Sequence, residues 1–256
     1  MTKRTVQPIS PTAKAEPEAV PHAPVTLSVD IGGTGIKMML LDAAGKPLSE
    51  RMRALTPPEP TPAVVLAVLD ELKSQIPESA PKFDRVSVGF PGVVKSGMTL
   101  EAHNLHPKWA GFPLQQTLID EWHKPVRVAN DASVQGYGAI YGKGVELCLT
   151  VGTGLGSSLF TDGRLCPGLE LAHHPWRKDK TYEDYLGLRG LEKYGKKRWN
   201  RLVEKAIAQT AQLFNWDFLH IGGGNAKHIK FELTHNVRIV PNEEGLLGGV
   251  ALWRNG

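Results

Sequence analysis

Three short segments hold residue types suited to moving a charged group. In Asp30-Ile31-Gly32-Gly33-Thr34-Gly35 the glycines let backbone N–H groups converge on an anion, and the Thr34 hydroxyl adds a donor. Asp30 stands at a strand end, where it can hold Mg²⁺ through water. Gly152-Thr153-Gly154-Leu155-Gly156-Ser157 repeats the design later in the chain. Between them lies Asn130-Asp131, at the end of one strand and the start of a helix. An aspartate placed there can accept a proton from a substrate hydroxyl, as phosphoryl transfer requires. Read alone, each glycine run serves equally as a hairpin turn, and Asp131 as a helix N-cap. Two such loops in corresponding places favour an anion cradle built by both.

The elements that must position these residues are legible from periodicity. Residues 25–29 and 36–41 read as strands around the first loop, and 48–55 as a third, giving an antiparallel meander. Val65, Leu69 and Leu72 recur at helical spacing, 85–90 is a strand, 114–122 a short helix and 126–129 a strand. Asp131 opens a helix to 141. The second half restarts with a strand at 146–151, the second loop and a returning strand at 157–160. Helices follow at 182–194 and 199–214, strands at 219–221 and 237–240, and a terminal helix at 246–253. Each half therefore opens strand, glycine turn, strand, which makes a structural repeat with a cleft between two lobes, 25–142 and 143–256.

The 41% hydrophobic and 22% charged shares describe a chain able to bury a sizeable core. Residues 1–24 are rich in proline and alanine and lack an apolar run, so they read as a disordered lead rather than a secretory signal. No apolar run reaches membrane-spanning length, and the cytoplasm is the expected location. Cys148 and Cys166 lack the spacing of a disulfide framework or zinc site. The formal charge of +4 favours anionic ligands without choosing among them.

In this order, the motifs resemble the ROK family of sugar kinases and repressors, within the actin-like ATPase superfamily. The match runs from Val25 to Trp253 and rests on 30–37, Gly89-Phe90-Pro91-Gly92-Val93, Ala129-Asn130-Asp131-Ala132, 152–157 and Gly222-Gly223-Gly224. The resemblance implies a two-lobed α/β, ribonuclease H-like fold with an interlobe active site. It implies Asp131 as the catalytic base, with Asp30, Gly32, Gly33, Thr34, Lys37, Thr153, Gly154, Gly156 and Ser157 at the phosphates. It places Asn104, Asn130, Glu170, His173 and Glu183 on sugar hydroxyls, and Gly222–Gly224 with Lys227 at the nucleoside or donor chain. A homodimer is implied too, with 182–214 as the contact surface. Ala172 replaces a family glycine beside His173.

ATP-using members carry a cysteine-rich zinc loop where this chain has the short basic stretch 174–181, so structural zinc is not expected. That stretch and 190–199 are similar to the polyphosphate glucokinase branch. The implied activity is transfer of a terminal phosphoryl group from polyphosphate to the 6-hydroxyl of glucose, with Mg²⁺. Lys178, Lys180, Lys196, Lys197, Arg198 and Arg201 would form a track for the polyanion. Charge alone reads the same residues as a solvated helix face. An ATP-dependent hexokinase is the first alternative. A sugar-sensing repressor is the second, and it would need a DNA-binding element for which 1–24 are too short and proline-rich; neither nucleic acid nor membrane is an expected partner.

Overall fold

The computed structural model describes residues 23–102, 105–166, 168–241 and 247–254. Asn104 and residues 1–22 and 242–246 lie outside the described residues. The chain runs β1 (Thr26–Ile31), β2 (Gly35–Leu41), β3 (Met52–Leu55), α1 (Pro62–Ser74), β4 (Arg85–Phe90), β5 (Val93–Lys95), β6 (Met98–Glu101), α2 (Leu114–Trp122), β7 (Val126–Asn130) and α3 (Asp131–Ala139). It continues through β8 (Val145–Val151), β9 (Leu155–Thr161), β10 (Arg164–Leu165), β11 (Pro175–Arg177), β12 (Lys180–Thr181), α4 (Tyr182–Leu186), α5 (Leu188–Phe214), β13 (Phe218–Gly222) and β14 (Val237–Ile239).

Two five-stranded sheets share one plan. The first has the order β3-β2-β1-β4-β7 and the second β10-β9-β8-β13-β14. In each, the opening strand pairs antiparallel with its hairpin partner and parallel with the strand on its other side. The parallel strands deliver their C-terminal ends, and the hairpins their turns, to one edge of each sheet. Ligand sites in such sheets form outside those ends. Leu27, Val29, Ile31 and Val88 bury one face of the first sheet against Val65, Leu69 and Leu72 of α1, and Leu147, Leu149 and Ile221 join Trp199, Leu202 and Val203 of α5. Helix α1 starts with Thr61 capping Val64 N and Pro62 in the first turn.

Helix α3 lies between the sheets and touches both. Ser158 Oγ of β9 donates to Ala132 O at 3.0 Å. A Cβ on Gly156 would stand 2.7 Å from the Ala132 Cβ and 2.3 Å from Thr150 Oγ1, so only glycine lets β9 approach the first turn of α3 this closely.

Several element boundaries differ from the periodic reading. The third strand begins at Met52 rather than Leu48. Pro47 cannot donate into the ladder, and Ser49 Oγ takes the Leu40 N–H that a strand carbonyl would accept. The helix expected over 182–194 is α4 followed at once by α5, and α5 runs to Phe214 with a break at Gly195, whose φ is 70°. The basic stretch 174–181 forms the hairpin β11–β12, turning through Lys178 and Asp179, both at positive φ. The hairpin β5–β6 was not anticipated. Gly222–Gly224 leads into a 3₁₀ turn, Ala226–His228. The terminal helix is a 3₁₀ turn, Gly248–Trp253, and it packs on the first half rather than the second: Ser87 Oγ donates to Gly249 O at 2.6 Å, and Val250 packs with Met39 and Leu41.

Candidate active site

The facing edges enclose a cleft of about 900 Å³. Its wall includes Asp30, Gly32, Gly33, Thr34 and Lys37 from the first hairpin and Gly152, Thr153, Gly154, Gly156 and Ser157 from the second. Asn130 and Asp131, Glu170, His173 and Glu183, and Gly223, Gly224 and Lys227 complete most of the expected set. Gly222 is buried behind the cleft wall, and Asn104 cannot be placed because it lies outside the described residues. Lys178, Lys180, Lys196, Lys197, Arg198 and Arg201 do not line the cleft.

Both loops are held by bonds that leave their tips open. Gly32 N donates to Gly35 O at 3.0 Å, and Thr56 Oγ1 donates to Gly32 O at 2.5 Å. In the second loop Gly152 N donates to Gly154 O at 3.0 Å. Leu188 N and Asn225 Nδ2 both donate to Gly152 O. Thr34 and Thr153 are exposed at the tips. Ser157 behaves differently: its hydroxyl donates to Leu169 O at 2.7 Å and accepts from Leu171 N, bracing the segment that bears Glu170. That use competes with its expected phosphate contact. Glu183 also braces, accepting from Leu155 N at 2.9 Å through one carboxylate oxygen.

The N-cap of α3 is Asn130, not Asp131. Asn130 Oδ1 accepts from Ala132 N and Ser133 N while its Nδ2 donates to Gly92 O at 3.0 Å. This frees Asp131, the first helical residue, from the capping role that its type alone suggested. Burial pushes the Asp131 carboxyl up to about 7; the nearby Asp30 and Glu170 carboxylates push the same way, against the Ala132 N–H bond and Lys37. A carboxylate of that basicity at neutral pH suits proton abstraction from a hydroxyl. Lys37 Nζ donates to Asp30 Oδ2 at 2.7 Å, so the cradle's lysine and aspartate are paired.

Among the described residues no cluster of three or more His, Cys, Asp or Glu side chains could cage a metal. A cation held by one or two carboxylates together with substrate phosphate needs no such cage. Asp30 and Asp131 both line the cleft, so two carboxylates are at hand and the donor set fits Mg²⁺ in that mode. Arg51, Arg53, Gln135 and Asn225 also line the cleft. Sequence reading missed them; for the arginines, the one available signal was alternation on the strand after the first hairpin.

The chain belongs to the ROK family, which matches residues 26–175. It is 29% identical over 207 residues to the polyphosphate glucokinase of Mycobacterium leprae, a stretch that is 77% of this chain and 62% of that protein, so it spans less than two thirds of that relative. Among solved structures it is similar to the inorganic polyphosphate/ATP-glucomannokinase of Arthrobacter sp. strain KM. The TM-score is 0.80 at 30% identity, covering 91% of this chain and all of that one. The ROK family glucokinase of Streptomyces griseus, in complex with glucose and AMPPNP, shares the fold with TM-score 0.76 at 22% identity, covering 91% and 100% of the two chains. The α/β, actin-like and ribonuclease H-like fold is therefore the one the motifs implied.

Proposed function

We propose that this chain is a kinase transferring the terminal phosphoryl group of polyphosphate to the 6-hydroxyl of glucose. The observation that carries the reading is the cleft itself, which gathers two glycine loops, Asp131 and the polar set Glu170, His173 and Glu183 around one space. Glucose would sit against Glu170, His173 and Asn130, with its hydroxyl toward Asp131. As the hydroxyl oxygen bonds to phosphorus and the bond to the donor chain breaks, its proton passes to the Asp131 carboxylate. Backbone N–H groups of 32–35 and 152–156 take up charge on the transferred group. Mg²⁺, held through Asp30, would neutralise phosphate charge. The named activities of the Mycobacterium leprae and Arthrobacter relatives support the donor and acceptor.

An ATP-dependent hexokinase is the second reading, favoured by Gly223, Gly224 and Asn225 on the cleft wall, where a nucleoside would fit. Glucose phosphorylation assayed with polyphosphate and with ATP separates the two. Activity with ATP alone would overturn the polyphosphate assignment, and activity with neither would overturn both. Mannose belongs in the same assay because Ala172 alters the setting of His173. The expected homodimer through 182–214 is a further part of this proposal; a monomer by light scattering would remove it.

A further inference from the structure

The first sheet carries one row of charge into the cleft that the proposed chemistry leaves incomplete. Asp30 on β1 lies directly across from Lys37 on β2, and Lys37 directly across from Arg53 on β3. Residues in register on neighbouring strands share a face, and Arg51, the residue before β3, is exposed and lines the cleft with Arg53. All four side chains line the cleft. Lys37 and Asp30 satisfy each other at 2.7 Å, while among the described residues neither arginine has a hydrogen bond or an ion pair. Arg53 lies along the first glycine loop: a Cβ on Gly35 would stand 3.4 Å from its Nε. Like charges opposed across strands repel, as Lys37 and Arg53 are here; Asp30 offsets the lysine, and no described ion pair offsets the arginine. Guanidinium groups grip phosphate oxygens in pairs, which a lysine cannot do. On the opposite wall Lys227 supplies a further cation beside Gly224.

We propose that Arg51 and Arg53 form an anion-binding arm that grips the phosphoryl donor behind the group being transferred. The arm rests on the phosphotransfer reading for its role but not for its existence, because it predicts binding of an inorganic phosphate chain whether or not transfer follows. Charged side chains also guard edge strands such as β3 from pairing with other chains. That service needs no particular chain length of phosphate, so donor binding separates the two roles.

The test compares wild type with R51Q/R53Q and R51K/R53K, each first shown by circular dichroism to melt like wild type. Tripolyphosphate binding is measured by calorimetry at several salt concentrations. The expected result is at least about a tenfold weaker Kd for R51Q/R53Q, partial recovery in R51K/R53K, and a shallower salt dependence in the glutamine variant. In turnover assays the KM for polyphosphate should rise similarly, with the KM for glucose within about twofold of wild type. Equal tripolyphosphate affinity in wild type and R51Q/R53Q overturns the arm, as does wild type that does not bind it. Binding that depends on the arginines in a protein inactive on every sugar upholds the arm and sinks the kinase reading instead.

Discussion

The Asp131 carboxyl titrates near 7 because burial strips water from its charged form and the Asp30 and Glu170 carboxylates add repulsion. As the proposed base, Asp131 acts when ionised, so kcat/KM for the sugar should rise with pH through about 7 and level above it. Asp30→Asn should move that acid limb down, because it removes a charge that raises the pKa; Lys37→Gln should move it up. A limb near 4 in the wild type would show that the Asp131 carboxyl is not raised, and a limb that persists in Asp131→Asn would show that another group titrates. Asp131→Asn should lower turnover by roughly 10²–10⁴-fold. Its effect on stability has the opposite sign. A carboxyl with a raised folded-state pKa stabilises the fold below its unfolded value near 4, and that contribution is lost as pH rises through about 7. The asparagine variant should therefore be the more stable protein at pH 8, by at most about 4 kcal/mol, and lose that advantage by pH 4. Urea titrations at the two pH values check this.

At the scale of elements, the site depends on how closely β9 reaches α3. Gly156→Val should cost about 1–3 kcal/mol, because its side chain would overlap Thr150 Oγ1 and the Ala132 Cβ. It should also depress turnover, since the displaced turn carries Asp131; normal melting with normal turnover would refute the contact. The segment that follows His173 is held by aromatic packing. Trp176 stacks on Tyr182 at 4.7 Å, meets Tyr185 edge-on at 5.3 Å, and Tyr185 stacks on Tyr194 at 5.4 Å. The ladder ties β11 to α4 and α5, next to His173 and Glu183. Trp176→Ala should raise the KM for glucose more than it lowers kcat, and steady-state kinetics distinguish the two.

Across the whole molecule, the connector from α3 to β8 is held by a buried carboxylate. Glu146 is fully buried and accepts from Tyr141 N at 2.7 Å, Gly142 N at 2.6 Å and Lys143 N at 3.1 Å. It also meets His220 Nε2 at 2.8 Å, and Arg238 Nε donates to His220 Nδ1 at 2.9 Å. Glu146→Ala would strand these buried groups and should cost about 3 kcal/mol or more, read from the urea midpoint. Glu146→Gln should cost less, since an amide oxygen still accepts. No described helix is long and apolar enough to cross a membrane.

The glycine loops, Asp131, the strands flanking them and the repeat of the two halves were legible because their signals are local: turn glycines, period-two alternation and helical spacing act within a few residues. The sequence alone determined that two glycine loops and one aspartate stand in the order the family shows. Tertiary structure decided the rest. It made Asn130 the cap and released Asp131, turned the Ser157 hydroxyl and one Glu183 oxygen into braces, and returned Gly248–Trp253 to the first sheet. It brought Arg51 and Arg53 into the cleft and left the basic residues of β11, β12 and α5 off its wall. A carboxylate's proton affinity and a lysine's freedom to bind depend on neighbours distant in sequence, because desolvation and charge act through space rather than along the chain.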